Sequence, residues 1–299
     1  MRNTIIILLF ALCCVFSAEA QLTDLARVEY TFFPQKDSDN TFRRFRALVN
    51  LPLKLKKEGA YLVPGFEYRN VNLRLRDELP FSNKERERFQ SFNLSLGYTF
   101  PLKNDWRFGA RGGLIMASDF EGDVEADDFI FEGGVFFVKT HKLEEGDNLN
   151  DEDAKNWRLV MGIQYSTTAG RPFPLPFINY NVRVNEQWSY TLGVPKSNLK
   201  YYLNEKNVLQ GFITLDGFYA NLQKDTREID GGVGQNISMT TLLSGVGYEH
   251  YFTDHLLLYF YGGHTIINDI RLRNSKGDDV FTINDTNTLY LRGGIKFKI

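Results

Sequence analysis

The sequence predicts an all-β chain that closes into an antiparallel transmembrane barrel of twelve or fourteen strands, behind a cleaved signal peptide. Three observations carry this. Apolar and polar residues alternate with period 2 over runs of ten or more residues, an apolar leader opens the chain, and the last alternating run continues to Ile299. The 43% hydrophobic and 14% aromatic content excludes a disordered chain. The net charge of −2 argues against a nucleic-acid partner, which would call for clustered excess Lys and Arg.

Residues 1–20 read as the signal peptide and 21–299 as the barrel. Arg2 precedes an apolar stretch from Ile5 to Phe16, and Ala18-Glu19-Ala20 suits cleavage before Gln21. That stretch, about a dozen residues, is too short for a membrane helix. Leu12 before Cys13, and Cys13 before Cys14, stand where a lipoprotein signal needs a small residue, so both cysteines belong to the leader's apolar core. They leave with it, and the 279 mature residues fold without a disulfide.

In the mature chain Val28, Tyr30 and Phe32 alternate with Arg27, Glu29 and Thr31, and Phe45, Ala47 and Val49 with Arg44, Arg46 and Asn50. Phe92 to Phe100 alternate with Asn93, Ser95, Gly97 and Thr99, and Trp106 to Met116 with Arg107 and Arg111. Trp157 to Tyr165 oppose Arg158 and Gln164, while Ile178, Tyr180 and Val182 oppose Asn179, Asn181 and Arg183. Such runs are strands with one apolar face. Their length exceeds the five or six residues usual in soluble proteins and suits a membrane crossing of about 9–11.

The runs are 26–33, 42–56, 61–75, 89–101, 106–117, 128–141, 157–167, 176–185, 187–194, 198–203, 208–221, 239–252, 256–268 and 288–299. The short pair 187–194 and 198–203 can be dropped as a hairpin, leaving twelve. The alternation changes face near Asn70, which predicts a bulge and leaves Arg74 and Arg76 inward.

Trp106, Trp157 and Trp188 each follow a polar turn and begin an odd-numbered strand, so they share one end as an interface girdle. With that end periplasmic, the longer loops 76–88, 118–127, 222–238 and 269–287 face outward. Only 142–155 is long on the other side.

In the final run Arg292-x-Gly294-x-x-Phe297-x-Ile299 resembles the C-terminal assembly signal of bacterial outer-membrane proteins, with Ile at the last position where Phe is commonest. The whole chain is similar to single-chain outer-membrane β-barrels of families of unknown function. That resemblance implies the barrel-assembly machinery, outer-membrane lipids and lipopolysaccharide as partners, and implies no substrate.

The alternation also sorts charge. Arg44, Arg46, Arg107, Arg111, Arg158, Arg183 and Arg292, with Lys54 and Lys296, fall on the lumen face, against few acids, chiefly Glu132 and Glu249 and less securely Asp216. Acids crowd loops 119–128 and 144–153 instead, without EF-hand spacing, and read as solvated. A ring of arginine in a narrow channel favours anions.

The expected function is therefore a passive, porin-like channel for small anionic or polar solutes, without cofactor, metal or enzymatic activity. The alternative is a structural or assembly barrel with a plugged lumen. A lipid-modifying enzyme comes third, because Ser244 and His264 would face each other across a three-residue turn.

Overall fold

The computed structural model describes residues 24–35, 40–75, 88–141, 156–223, 227–229 and 232–298. The leader, Arg76, loop 144–153 and Ile299 lie outside the described residues.

Fourteen strands form the wall: β1 (Asp24–Phe33), β2 (Thr41–Asn50), β3 (Tyr61–Arg74), β4 (Arg88–Pro101), β5 (Trp106–Ser118), β6 (Phe129–His141), β7 (Trp157–Ser166), β8 (Phe173–Arg183), β9 (Trp188–Val194), β10 (Lys196–Tyr202), β11 (Asn207–Asn221), β12 (Asn236–Tyr251), β13 (Leu256–Arg273) and β14 (Leu289–Lys298). Each pairs antiparallel with its sequence neighbours, and β14 pairs with β1, so the sheet has no free edge. A short strand Asp279–Asn284 extends the far end of β13. The count is fourteen, and the short pair that could have been dropped is β9–β10, seven residues each.

Strands enter and leave at two unlike ends. One, the turn end, carries both described termini, with Asp24 opposite Lys298, and the tight connections at 102–105, 184–187, 203–206 and 252–255. The other, the loop end, carries the connections 75–87, 119–128, 222–235 and 274–288, although 51–60 and 142–156 are long at the turn end and a single residue joins β9 to β10 at the loop end.

Apolar side chains cover the outside, with Phe131 73% and Val246 71% exposed. A band of this kind on a closed barrel is the exterior of an outer-membrane β-barrel, where lipid replaces a protein core.

The expected bulge at Asn70 is absent. The β2–β3 ladder runs unbroken from Thr41 opposite Arg74 to Asn50 opposite Gly65. Parity therefore turns Val71 and Leu73 inward and Arg74 outward. The apparent switch of face arises because the lumen itself is apolar at the loop end. Phe33, Phe42, Leu73, Phe89, Ile115, Phe218, Ile237, Met239 and Ile270 form a buried cluster there.

The upper parts of β11 and β12 fill the mouth. Asn221 of β11 pairs with Ser118 of β5, a strand six places away in the ring of fourteen. The turn Thr167–Ala169, between β7 and β8, lies on Gly217 and Thr240 above the short β9–β10 hairpin. Any Cβ at Gly217 would stand 2.5 Å from the carbonyl oxygen of Thr168, so this seat requires glycine.

Candidate functional site

Arg74, expected inward, points outward; the other seven arginines expected in the lumen and described sit on inward strand positions, but they separate into three groups. The first spans the lumen. Arg44 of β2 donates two hydrogen bonds to Asp216 of β11, at 3.0 and 2.7 Å, and Arg292 of β14 donates to the same carboxylate. Arg46 donates to Glu67 at 2.6 Å, Arg69 shares Glu67, and Tyr259 donates to Glu29 at 2.7 Å. Arg44 is only 1% exposed.

Beside this network Glu249 accepts hydrogen bonds from Lys200 at 2.6 Å, Gln210 at 2.8 Å and Tyr261 at 2.7 Å. The expectation of a basic face with few acids is thus corrected. Glu29 and Glu67 supply the missing carboxylates. Glu29 stands beside Arg27 in the alternation, whereas Glu67 lies on β3, whose two apolar faces near Val71 and Leu73 hide the facing. Paired charge of this density fills one side of the barrel.

The second group lines a cavity of about 960 Å³ against strands β3 to β8. It reaches from the turn-end rim at Asn104 and Asp105 to Glu132 and Gln164. Arg107, Arg111 and Arg158 line it, against the acids Asp105 and Glu132. Arg107 donates to the carbonyl oxygen of Gly59 at 2.7 Å, and Arg111 donates to Ser95 at 2.8 Å and lies 3.6 Å from Glu132. Phe136 and Phe177 add an apolar wall. Sequence reading passed over them because strand β6 is aromatic on both faces at Phe136 and Phe137.

Arg183 stands alone as the third group, its guanidinium 3.6 Å from the centre of the Tyr202 ring at the turn end. The alternation could sort these arginines by face, but not by which wall lies opposite.

At the loop end, part of the acidic segment 119–128 is not solvated. Asp119 accepts from the backbone N–H of Gln223 at 3.1 Å, and Asp128 accepts from Asn221 at 2.9 Å and from Gln223 at 2.5 Å. The backbone N–H of Gly122 donates to the Gln223 side chain at 2.8 Å. These bonds join the tops of β5 and β11 across the mouth. Glu121, Asp123, Glu125 and Asp127 remain exposed.

Trp106, Trp157 and Trp188 all point outward at the turn end. Trp188 packs on Tyr201 with ring centres 4.7 Å apart, and Trp157 stacks on His141 at 5.8 Å. Of the assembly-signal residues, Arg292 belongs to the lumen network and Phe297 points outward beside His255. Gly294 faces inward where a Cβ would lie 2.7 Å from the Tyr259 hydroxyl.

Ser244 and His264 are register partners, as a three-residue turn requires. Both face outward, however, and His264 Nδ1 is 2.8 Å from the carbonyl oxygen of Thr265 rather than from a carboxylate. Among the described residues no group of three or more His, Cys, Asp or Glu side chains could hold a metal.

No curated protein matches the chain. Solved structures similar to it include the KdgM porin, at 8% identity and a TM-score of 0.36, covering 91% of this chain and 99% of that one. LpxR from Salmonella typhimurium is similar at 8% identity and a TM-score of 0.39, covering 92% and 100%. Outer membrane phospholipase A from Escherichia coli is similar at 11% identity and a TM-score of 0.38, covering 95% and 99%. Likenesses this distant carry neither substrate nor activity to the present chain. At the level of sequence family, the chain belongs to the domain of unknown function DUF6268, which it matches over residues 31–298.

Proposed function

We propose that the chain is an integral protein of the bacterial outer membrane and a porin-like barrel, whose basic cavity takes small anionic or polar solutes from the periplasmic side. The observation that carries this reading is the cavity lined by Arg107, Arg111 and Arg158 and reaching the turn-end rim. Cations held in a confined, low-dielectric space attract anions and exclude other cations.

The outward tryptophans at the turn end support a periplasmic position for that end, because indole rings favour the membrane interface. The apolar exterior supports lipid contact, and the long loops would then meet lipopolysaccharide. The last strand is the part the barrel-assembly machinery would engage. Enzymatic activity is not part of this reading.

The bonds between the 119–128 segment and Gln223 favour a second reading, a structural barrel with a plugged lumen. The two separate in planar bilayers. A channel gives steady conductance, with a reversal potential of anion-selective sign under a salt gradient. A well-folded barrel that stays silent at every voltage refutes passage and leaves the structural role.

A further inference from the structure

The cavity holds a feature that charge alone does not require. Gly109, Phe136, Gly162 and Phe177 are successive cross-strand partners on β5, β6, β7 and β8, and all four point inward. Glycine and phenylalanine thus alternate along one level of the wall. The alternation lets each ring lie down. A Cβ at Gly109 would overlap the Phe136 ring, and one at Gly162 would come within 2.9 Å of the tip of Phe177. Both rings therefore rest sideways over a neighbouring glycine instead of standing into the lumen.

The outcome is a shelf of two aromatic rings, their strands about 10 Å apart at two strand spacings. Arg111 and Arg107 lie two residues to either side of Gly109 along β5, about 7 Å each way. Arg158 lies on β7, beyond the level of Arg107 toward the turn end.

We infer that this shelf and its flanking arginines form a binding site for ring-bearing carboxylates, of which an aryl carboxylate is the simplest. The inference rests on the proposed anion-accepting role of the cavity and adds the flat apolar body to the charge. A ligand ring stacks offset on Phe136 or Phe177, an arrangement favoured by the quadrupoles of both rings. Its carboxylate, in the plane of the ring, then points along the strand direction toward a guanidinium that can hold it through two parallel N–H donors. A small anion such as acetate uses the arginine but leaves the shelf bare, and a neutral arene uses the shelf but leaves the arginine to water.

The test is calorimetric titration of the full barrel in lipid vesicles with benzoate, acetate and benzyl alcohol, matched runs on empty vesicles correcting for partitioning. Benzoate should bind about ten-fold or more tighter than either partial ligand. That advantage should vanish in Phe136→Leu/Phe177→Leu, which removes both rings and keeps aliphatic side chains there, in a barrel that still binds acetate. Equal affinity for benzoate and acetate, or an advantage that survives the double substitution, overturns the shelf and leaves the anion cavity standing. No binding of either carboxylate overturns both the shelf and the anion-accepting role.

Discussion

Replacing Asp216 with leucine tests whether the barrel is held partly by its internal charges. Asp216 accepts two bonds from Arg44 and one from Arg292, so the substitution leaves two inward guanidiniums short of a counter-charge. The nearest remaining carboxylate to Arg44 is Glu29, at 3.8 Å and already engaged by Tyr259 and Arg46. Breaking a buried pair on one side costs about 3–5 kcal/mol, several times the cost at a solvated pair, because the surviving charge stays desolvated. Urea unfolding of the barrel in lipid vesicles, followed by the emission of the three tryptophans, measures the loss. Arg44→Met should cost a similar amount. The double variant should cost about 1–3 kcal/mol less than the sum of the two, since it removes both charges of the pair while Arg292 keeps its deficit. Additive losses of about 1 kcal/mol or less would refute the reasoning, because they would mean that water reaches these charges.

Four further outcomes follow. Neutralising Arg107, Arg111 and Arg158 together to glutamine should move the reversal potential of a conducting barrel toward zero or cation preference, while Arg183→Gln should leave it unchanged. Gln223→Ala removes two donors from the 119–128 segment, at about 1–3 kcal/mol for the Asp128 carboxylate left short of a partner. If that segment closes the mouth, conductance measured in bilayers rises. Gly294→Leu drives a side chain into the Tyr259 hydroxyl and the Val28 carbonyl, and should abolish the folded, heat-modifiable band on gels. Quenchers attached to lipid headgroups should dim the emission from Trp106, Trp157 and Trp188 more than quenchers at the bilayer midplane do, and the reverse order would remove the interface girdle.

Much of this architecture was legible because a barrel strand writes its orientation into the sequence. Period-2 alternation displayed all fourteen wall strands, including the short 187–194 and 198–203 runs, and assigned seven arginines correctly to the inner face, though Arg74 wrongly. The alternation failed where its premise failed. On β3 the inner residues Val71 and Leu73 are as apolar as lipid-facing ones, because the loop end of the lumen is packed with Phe33, Phe42 and Phe89. Two apolar faces leave no period to read, so a regular ladder looked like a bulge.

What only the tertiary structure decided is how the walls meet. Arg44 and Asp216 are separated by 172 positions, and Gln223 and Asp128 by 95. No local pattern joins them. Closure of the sheet, together with the lean of β11 and β12 into the mouth, makes them neighbours. The sequence alone thus determined which face a side chain takes wherever one face is apolar and the other polar, since strand geometry is local and each pleat points its side chains one way or the other. Whether an arginine ends against a carboxylate or lines a cavity depends on the opposite wall, and the opposite wall exists only once the barrel has closed.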